Sequence, residues 1–194
     1  MEFLKNVVFI KSIFDYKELP KDDMPLIAFV GKSNVGKSSF INTITNNRKM
    51  AKVGQTPGKT RCINLFVVDK KLNMVDLPGY GFSRMSLKEK ENINKLVDKF
   101  MNNNQNLRHI FFLVDIRHKP TKDDRSMYEW ILSMNIPFTI IANKADKIPK
   151  TKSQQYVDVI RKELFAKEEI IPFSAESKIG LEQVINQIKE QMGD

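Results

Sequence analysis

Short apolar runs recur along the chain, and between them apolar residues repeat at helical spacing. Each run has the length of a buried β-strand. The predicted strands are Leu26–Val30, Ile63–Val68, Lys71–Val75, Ile110–Val114, Phe138–Ala142 and Ile170–Phe173. The predicted helices are Lys37–Thr45, Leu87–Asn102, Asp123–Met134, Ser153–Phe165 and Leu181–Met192. This alternation predicts an α/β domain with a mostly parallel sheet and helices on both faces.

The second and third predicted strands are joined too closely for a helix to lie between them. Only Asp69 and Lys70 separate the two runs, so these strands should pair as an antiparallel hairpin. The pattern therefore predicts six strands, one of them antiparallel. The apolar run Val7–Ile10 could add an edge strand, whose partner the sequence leaves open. We expect an N-terminal extension over residues 1–24 and a single domain over residues 25–194.

Length and composition narrow the class of protein. The chain has 194 residues, 41% of them hydrophobic, which suits one well-packed domain. Cys62 is the single cysteine and cannot form a disulfide within the chain, and the N-terminus lacks the pattern of a secretory signal. No apolar run approaches the roughly 18 residues that cross a bilayer. We expect a cytoplasmic protein without a membrane partner.

The charge of the chain is strongly positive. Lys and Arg outnumber Asp and Glu by 32 to 23, and the formal net charge is +9. Such a charge predicts attraction to a polyanion, and RNA is the natural candidate. A general bias of the composition towards Lys, Asn and Ile is the alternative explanation.

The first chemical motif follows the first predicted strand. The segment GKSNVGKS fits the phosphate-binding pattern G-x-x-x-x-G-K-[ST], in which backbone N–H groups surround phosphate oxygens at a helix N-terminus. Lys37 would reach the β- and γ-phosphates, and the Ser38 hydroxyl would bind Mg²⁺. The alternative is an ordinary glycine-rich turn between a strand and a helix. The predicted nucleotide-binding residues here are Gly31, Lys32, Ser33, Asn34, Val35, Gly36, Lys37 and Ser38.

A second motif, VDLPGYG, lies at the end of the third predicted strand. Asp76 stands where a carboxylate is needed to hold Mg²⁺, directly or through water. Gly79 can offer its N–H to a γ-phosphate at close range because it has no side chain. We therefore predict Asp76 as a metal ligand and assign Asp76, Leu77, Pro78 and Gly79 to the nucleotide site.

A third motif, NKAD, follows the strand Phe138–Ala142 and selects the base. The Asp146 carboxylate could accept hydrogen bonds from guanine N1–H and the 2-amino group, a pair of donors that adenine lacks. A buried charged group left without its partners costs about 1–3 kcal/mol or more, so the predicted nucleotide is GTP. Asn143 would tie this loop to the phosphate loop, and Lys144 would cover one face of the base. The alternative role for Asp146 is a helix N-cap.

The segment FSAE after the last predicted strand is the final element of the predicted site. Backbone N–H groups of the triplet from Ser174 to Glu176 could meet guanine O6. The nucleotide-binding residues predicted from these last two motifs are Asn143, Lys144, Ala145, Asp146, Phe173, Ser174 and Ala175.

Together these motifs resemble one family of GTPases. GKSNVGKSSFIN, TPGKTRCINLF, VDLPGYGFS, DIRHKPTKDD, NKADKIPK and FSAE are similar to the bacterial EngB ribosome-biogenesis GTPases, within the TrmE-Era-EngA-EngB-Septin-like superfamily. The resemblance runs from about Leu26 to the C-terminus. It implies a three-layer P-loop G domain and Mg²⁺-dependent hydrolysis of GTP to GDP. It also implies assembly of the large ribosomal subunit, with its rRNA as partner, and a link to cell division and septation. Nothing in the sequence demands a dimer, so we expect a monomer.

The resemblance also identifies TPGKT as the switch I segment. It implies that the Thr60 hydroxyl closes on Mg²⁺ in the GTP state, whereas the residues alone leave Thr56 as an equal candidate. The segment adds Gly58, Lys59, Thr60, Arg61 and Cys62 to the predicted nucleotide-binding residues.

Hydrolysis needs an oriented water and neutralisation of phosphate charge. Ras-like enzymes carry a glutamine directly after the D-x-x-G glycine, and Tyr80 stands there in this chain. Tyrosine cannot do the work of the amide in the same way, so we expect slow turnover without a partner. Similar GTPases with asparagine at the position of Asn34 bind K⁺, which implies a K⁺ ligand here; the alternative is a hydrogen bond within the loop. The predicted catalytic residues are Lys37, Thr60 and Asn34.

Basic residues crowd the predicted switch I segment and the neighbouring loops. They are Arg48, Lys49, Lys52, Lys59, Arg61, Lys147, Lys150 and Lys152. Such a rim would couple nucleotide state to rRNA affinity, although a solvated charged surface is the alternative. Two other functions remain: a signalling switch that binds a protein effector, and a nucleic-acid-binding module with a vestigial nucleotide loop. The absent lipidation motif counts against the first, and the intact motif residues count against the second.

Overall fold

The computed structural model describes residues 3–20, 22–51, 62–81 and 86–193, and in this part the strands form one twisted sheet. The strands are β1 (Val7–Ile13), β2 (Leu26–Gly31), β3 (Ile63–Val68), β4 (Leu72–Asp76), β5 (Leu107–Asp115), β6 (Phe138–Asn143) and β7 (Ile170–Phe173). The helices are α1 (Lys37–Ile44), α2 (Leu87–Asn102), α3 (Lys122–Ser133), α4 (Ser153–Leu164) and α5 (Leu181–Glu190). The predicted α/β class is confirmed.

The sheet has seven strands in the order β1-β3-β4-β2-β5-β6-β7, one more than predicted. The additional strand is β1, which pairs antiparallel with β3 at the edge of the sheet. Ile13 is fully buried, and the rings of Phe9 and Phe66 lie 5.5 Å apart. Because β3 is also antiparallel to β4 while the other neighbours are parallel, β3 alone runs against the rest.

The predicted hairpin between β3 and β4 is confirmed. Asp69 and Lys70 have φ angles of 49° and 57°, the positive values that a two-residue type I′ turn requires. Lys71 N–H donates to the Val68 carbonyl at 2.9 Å and closes the turn. The turn matches the right-handed twist of the two strands, which keeps β4 in register with β3.

Helices cover both faces of the sheet. Apolar side chains of α2, α3 and α4 pack on one face, and those of α1 and α5 pack on the other. Phe40 of α1 is fully buried, with its ring centroid 4.5 Å from that of Phe173 and 5.5 Å from that of Phe29. This aromatic cluster fixes α1 directly behind the loop that precedes it. None of the helices in the described part combines the length and apolar character needed to cross a bilayer.

The carboxyl ends of the parallel strands lie along one edge of the sheet. In the register of neighbouring strands, Asp115 of β5 pairs with Asn143 of β6, and Asn143 pairs with Phe173 of β7. In open α/β sheets, ligands bind outside this edge. The fold thus brings the predicted phosphate and base motifs to one place.

Candidate nucleotide-binding site

The phosphate loop connects β2 to α1, and its geometry depends on Gly36. This residue is the N-cap of α1 and has φ of 104°, which disfavours any residue with a side chain. A Cβ at this position would lie 2.5 Å from Nδ2 of Asn143. The loop can therefore approach the base loop, the NKAD segment at residues 143–146, closely only with glycine here.

Lys37 begins α1, and its side chain is buried. Burial lowers the pKa of its ammonium group, and the neighbouring Asp76 carboxylate acts in the opposite direction. Its Nζ makes only a long hydrogen bond, 3.5 Å, to the Gly31 carbonyl among the described residues. A buried cation with so little compensation is well suited to an anionic ligand.

Asp76 ends β4 beside this lysine, and only 2% of the residue is exposed. Burial raises the pKa of its carboxyl group, and Lys37 opposes that rise. Its Oδ1 atom is buried and has no hydrogen-bond partner within the described residues. An orphaned carboxylate oxygen is a ligand of the type that Mg²⁺ prefers, so this position fits the predicted metal.

Of the other two predicted metal ligands, only Ser38 lies within the described residues. Ser38 is the second residue of α1 and is partly exposed. Thr60, its rival Thr56 and the neighbouring residues Gly58, Lys59 and Arg61 lie outside the described residues. Cys62 is described: burial raises the pKa of its thiol, and its Sγ lies 3.7 Å from Asn64 Oδ1.

Gly79 packs directly against the phosphate loop. A Cβ built on it would lie 2.9 Å from the backbone nitrogen of Ser33 and 3.3 Å from Nζ of Lys37. A side chain here would therefore displace backbone rather than a flexible group. This close approach is what a backbone donor to the terminal phosphate requires.

The base loop is fastened to the phosphate loop at two points. Asn143 donates from Nδ2 to the Val35 carbonyl at 2.9 Å, and this bond is buried. Lys144 donates from Nζ to the Asn34 carbonyl at 3.0 Å. Lys144 itself has φ of 68°, an uncommon backbone conformation for a lysine and a frequent sign of a functional loop.

Asp146 lies in the 3₁₀ turn Ala145–Lys147, whose N-cap is Lys144. The alternative role of Asp146 as an N-cap is therefore wrong. Its Oδ1 accepts a hydrogen bond from Ser174 Oγ at 2.7 Å, and its Oδ2 lies 2.9 Å from Nζ of Lys147. Burial acts to raise the pKa of the carboxyl group, but these partners outweigh it and the pKa is lowered. Asp146 is thus a carboxylate at neutral pH, as recognition of guanine requires.

The loop after β7 offers one backbone donor from the predicted triplet. Ser174 N–H donates to the Ile179 carbonyl, and Glu176 N–H donates to Ser174 Oγ. Both N–H groups are therefore used within the loop. Among the described residues this leaves Ala175 N–H as the candidate donor to guanine O6.

Asn34 and the basic residues predicted around the site differ in solvent exposure and in ion pairing. Asn34 is exposed with φ of 63°, and its side chain makes no hydrogen bond within the described residues. The basic residues Arg48, Lys49, Lys150 and Lys152 are exposed. Lys147 is paired with Asp146 and Glu176 instead, and Lys52, Lys59 and Arg61 lie outside the described residues.

Asp115, at the end of β5, was not predicted from sequence as a site residue. Its carboxylate accepts hydrogen bonds from Nε and Nη2 of Arg117 at 2.9 and 2.7 Å. Its Oδ2 also accepts a hydrogen bond from Lys144 Nζ at 2.8 Å. Burial raises the pKa of this carboxyl group, but the bonds from Arg117 and Lys144 outweigh it and hold the pKa at about 2. The signal available in the sequence was the position of Asp115 directly after the predicted strand Ile110–Val114.

An Asp115→Asn variant is expected to bind GDP and GTP about 10-fold more weakly, because Lys144 loses the charge that holds it across the phosphate loop. Titration of fluorescent GDP and GTP analogues measures this loss.

The effect should not depend on pH near neutrality. The pKa of Asp115 is depressed, so its interaction with Lys144 is complete above pH 3.8, the ordinary pKa of an aspartate, and disappears only as the pH falls towards about 2. The loss should hence be constant from about pH 6 to 8. Asp158→Asn, which changes an exposed carboxylate on α4, is the matched control; equal affinities for D115N and D158N would contradict the assignment.

Comparisons with known proteins agree with this geometry. Residues 26–144 match the family model described as 50S ribosome-binding GTPase. A probable GTP-binding protein EngB of Thermoanaerobacter pseudethanolicus is 45% identical over 185 residues, which cover 94% of this chain and 96% of the relative. Its counterpart in Clostridioides difficile is 43% identical over 182 residues, 93% of this chain and 90% of the relative.

A solved structure gives the same result at the level of the fold. The crystal structure of a probable GTP-binding protein engB superposes with a TM-score of 0.72 at 26% identity, covering 86% of this chain and 98% of that one. The relatives and the structure are thus matched over nearly their whole lengths. The chain belongs to the EngB family of GTP-binding proteins, within the P-loop GTPases, and is a GTP hydrolase.

Proposed function

We propose that this chain is a GTP-dependent switch in the cytoplasm that acts in assembly of the large ribosomal subunit and binds its rRNA. The observation that carries the proposal is the match of residues 26–144 to the 50S ribosome-binding GTPase family. The net charge of +9 and the exposed basic residues Arg48, Lys49, Lys150 and Lys152 support a polyanionic partner. We extend the proposal to a monomer built as one G domain behind an N-terminal extension, and to the link with cell division.

The proposed roles within the site follow from the positions of the side chains. Lys37 neutralises the β- and γ-phosphates, Gly79 donates its N–H to the γ-phosphate, and Asp146 selects guanine through its carboxylate. Asp76, Ser38 and Thr60 would hold Mg²⁺, with the buried Oδ1 of Asp76 as the supporting observation. When bound, the metal neutralises charge between the β- and γ-phosphates.

The side chain of Tyr80 does not replace the water-positioning glutamine of Ras-like enzymes, because its hydroxyl donates to Asp124 on α3. We therefore expect slow turnover of the isolated protein. In the K⁺ hypothesis, the exposed Asn34 is a ligand of a second cation beside the phosphates. Turnover measured in K⁺ and in Na⁺ buffers tests it, and equal rates would rule K⁺ out.

The ribosomal role is tested by co-sedimentation with purified large subunits. Binding is compared with a non-hydrolysable GTP analogue, with GDP and without nucleotide, across a salt series. We expect the analogue to favour binding and salt to weaken it, because phosphate contacts release counterions. If binding is absent or indifferent to the nucleotide, a switch that binds a protein effector replaces this proposal.

A further inference from the structure

Tyr80 joins the D-x-x-G segment to α3. Its hydroxyl donates to Oδ1 of Asp124 at 2.6 Å. Asp124 lies in the first turn of α3, and only 7% of the residue is exposed. A hydrogen bond from a hydroxyl to a buried carboxylate is among the stronger ones in proteins. The direction of the Tyr80 side chain is thus set by α3.

The backbone of Tyr80 is fastened at the same time to the phosphate loop. Its carbonyl accepts the N–H of Ser33 at 2.9 Å, and Lys32 and Tyr80 form a parallel β-bridge. These bonds place the preceding residue, Gly79, in the close contact with Ser33 and Lys37 described above. Tyr80 therefore holds Gly79 from one side, with its main chain on the phosphate loop and its side chain on α3.

The anchor at Asp124 is itself rigid. Its second oxygen, Oδ2, accepts the N–H and the hydroxyl of Thr121 at 2.7 and 2.6 Å. The Asp124 N–H donates back to the Thr121 hydroxyl at 3.4 Å, and together with the bond from the Thr121 N–H this forms the capping box of α3. Lys32 of the phosphate loop donates from Nζ to the same Thr121 hydroxyl at 3.2 Å. The capping box hence connects to the nucleotide site at two residues, Lys32 and Tyr80.

We propose that Tyr80 is a positioning residue whose bond to Asp124 holds Gly79 ready for the γ-phosphate. Because these bonds hold the D-x-x-G segment at the phosphate loop, they reduce the cost of ordering it when GTP binds. GDP has no γ-phosphate and gains nothing from this arrangement. The same bond makes the N-terminus of α3 sensitive to the terminal phosphate. The proposal rests on the proposed role of Gly79 as the γ-phosphate donor.

A Tyr80→Phe variant tests the proposal with the least disturbance, since it removes the hydroxyl and keeps the ring. We expect its affinity for a non-hydrolysable GTP analogue to fall about 10-fold and its affinity for GDP to stay within about twofold of the unmodified chain. Asp124→Ala, which removes the acceptor of this bond, should change the ratio of the two affinities in the same direction. The double variant should change that ratio no more than the larger single effect, because both substitutions break one bond.

Tyr128→Phe is the matched control. Tyr128 lies on α3 and also donates its hydroxyl to a carboxylate, that of Glu168, at 2.7 Å. The Tyr128→Phe variant should leave the ratio of GTP-analogue to GDP affinity unchanged. Loss of both affinities together in Y80F would indicate a general structural role and overturn the proposal, as would an unchanged or increased affinity for the GTP analogue.

A Gly79→Ala variant tests the proposed γ-phosphate role of Gly79 separately from the role of Tyr80. The new Cβ would meet the backbone of Ser33 at 2.9 Å and move the Gly79 N–H away from the γ-phosphate, so a larger loss of affinity for the GTP analogue than for GDP is expected. If G79A shows that loss and Y80F does not, the role of Tyr80 is wrong and that of Gly79 stands. If G79A binds the analogue normally, the γ-phosphate role of Gly79 is wrong and the proposal fails with it.

Discussion

A Lys37→Ala variant is expected to hydrolyse GTP about 10³-fold more slowly than the unmodified chain. The Lys37 ammonium is buried, and its one hydrogen bond among the described residues is 3.5 Å long, so its charge is available to the nucleotide. Hydrogen bonds to charged groups contribute about 1.5–3 kcal/mol each, and contacts with two phosphates would together change the rate by about 10²–10⁴-fold. Single-turnover hydrolysis of radiolabelled GTP at saturating enzyme measures the loss.

The control for this variant is Lys150→Ala, which removes a cation that is exposed to solvent. It should leave turnover unchanged. Thermal unfolding of both variants shows whether the fold is kept; we expect K37A to fold, because burial of the ammonium is itself unfavourable. Turnover of a folded K37A protein within about tenfold of the unmodified chain would contradict the assignment of Lys37 to the phosphates.

An Asp146→Asn variant is expected to lose about 100-fold in affinity for GDP and GTP and to gain affinity for xanthine nucleotides. In the proposed role, the carboxylate accepts two hydrogen bonds from guanine, and an amide at the same place turns one acceptor into a donor. Xanthine carries a carbonyl where guanine has its 2-amino group, so the new donor can be satisfied. The loss corresponds to about 3 kcal/mol, the cost of an unpaired donor beside an unpaired amine.

Competition between fluorescent GDP and unlabelled guanine or xanthine nucleotides measures this change of specificity. Ser174 donates to the Asp146 side chain at 2.7 Å and can also donate to an amide oxygen, so the loop should keep its shape in D146N. Asp158→Asn again serves as the control for loss of a carboxylate. Weaker binding of both bases without any preference for xanthine would show that Asp146 supports the loop and does not contact the base.

Much of the fold could be predicted from local patterns. The buried strands and amphipathic helices have different periodicities, and each was identified from residues within one element. The phosphate loop and the NKAD loop are contiguous segments, so their motifs are readable without the fold. The β3–β4 hairpin followed from a linker of only two residues, Asp69 and Lys70, which leaves no room for a helical crossover.

Other features depend on contacts between residues that are distant along the chain. Val7–Ile10 showed an apolar run, but only the assembled sheet shows that β1 pairs with β3 and makes the sheet seven-stranded. Asp115 meets Lys144 across 29 positions, and Tyr80 meets Asp124 across 44. A side chain's type and its neighbours in sequence state what it can bind. Its partner is set by which strand and helix ends the packed core brings within hydrogen-bonding distance, and that depends on the whole chain.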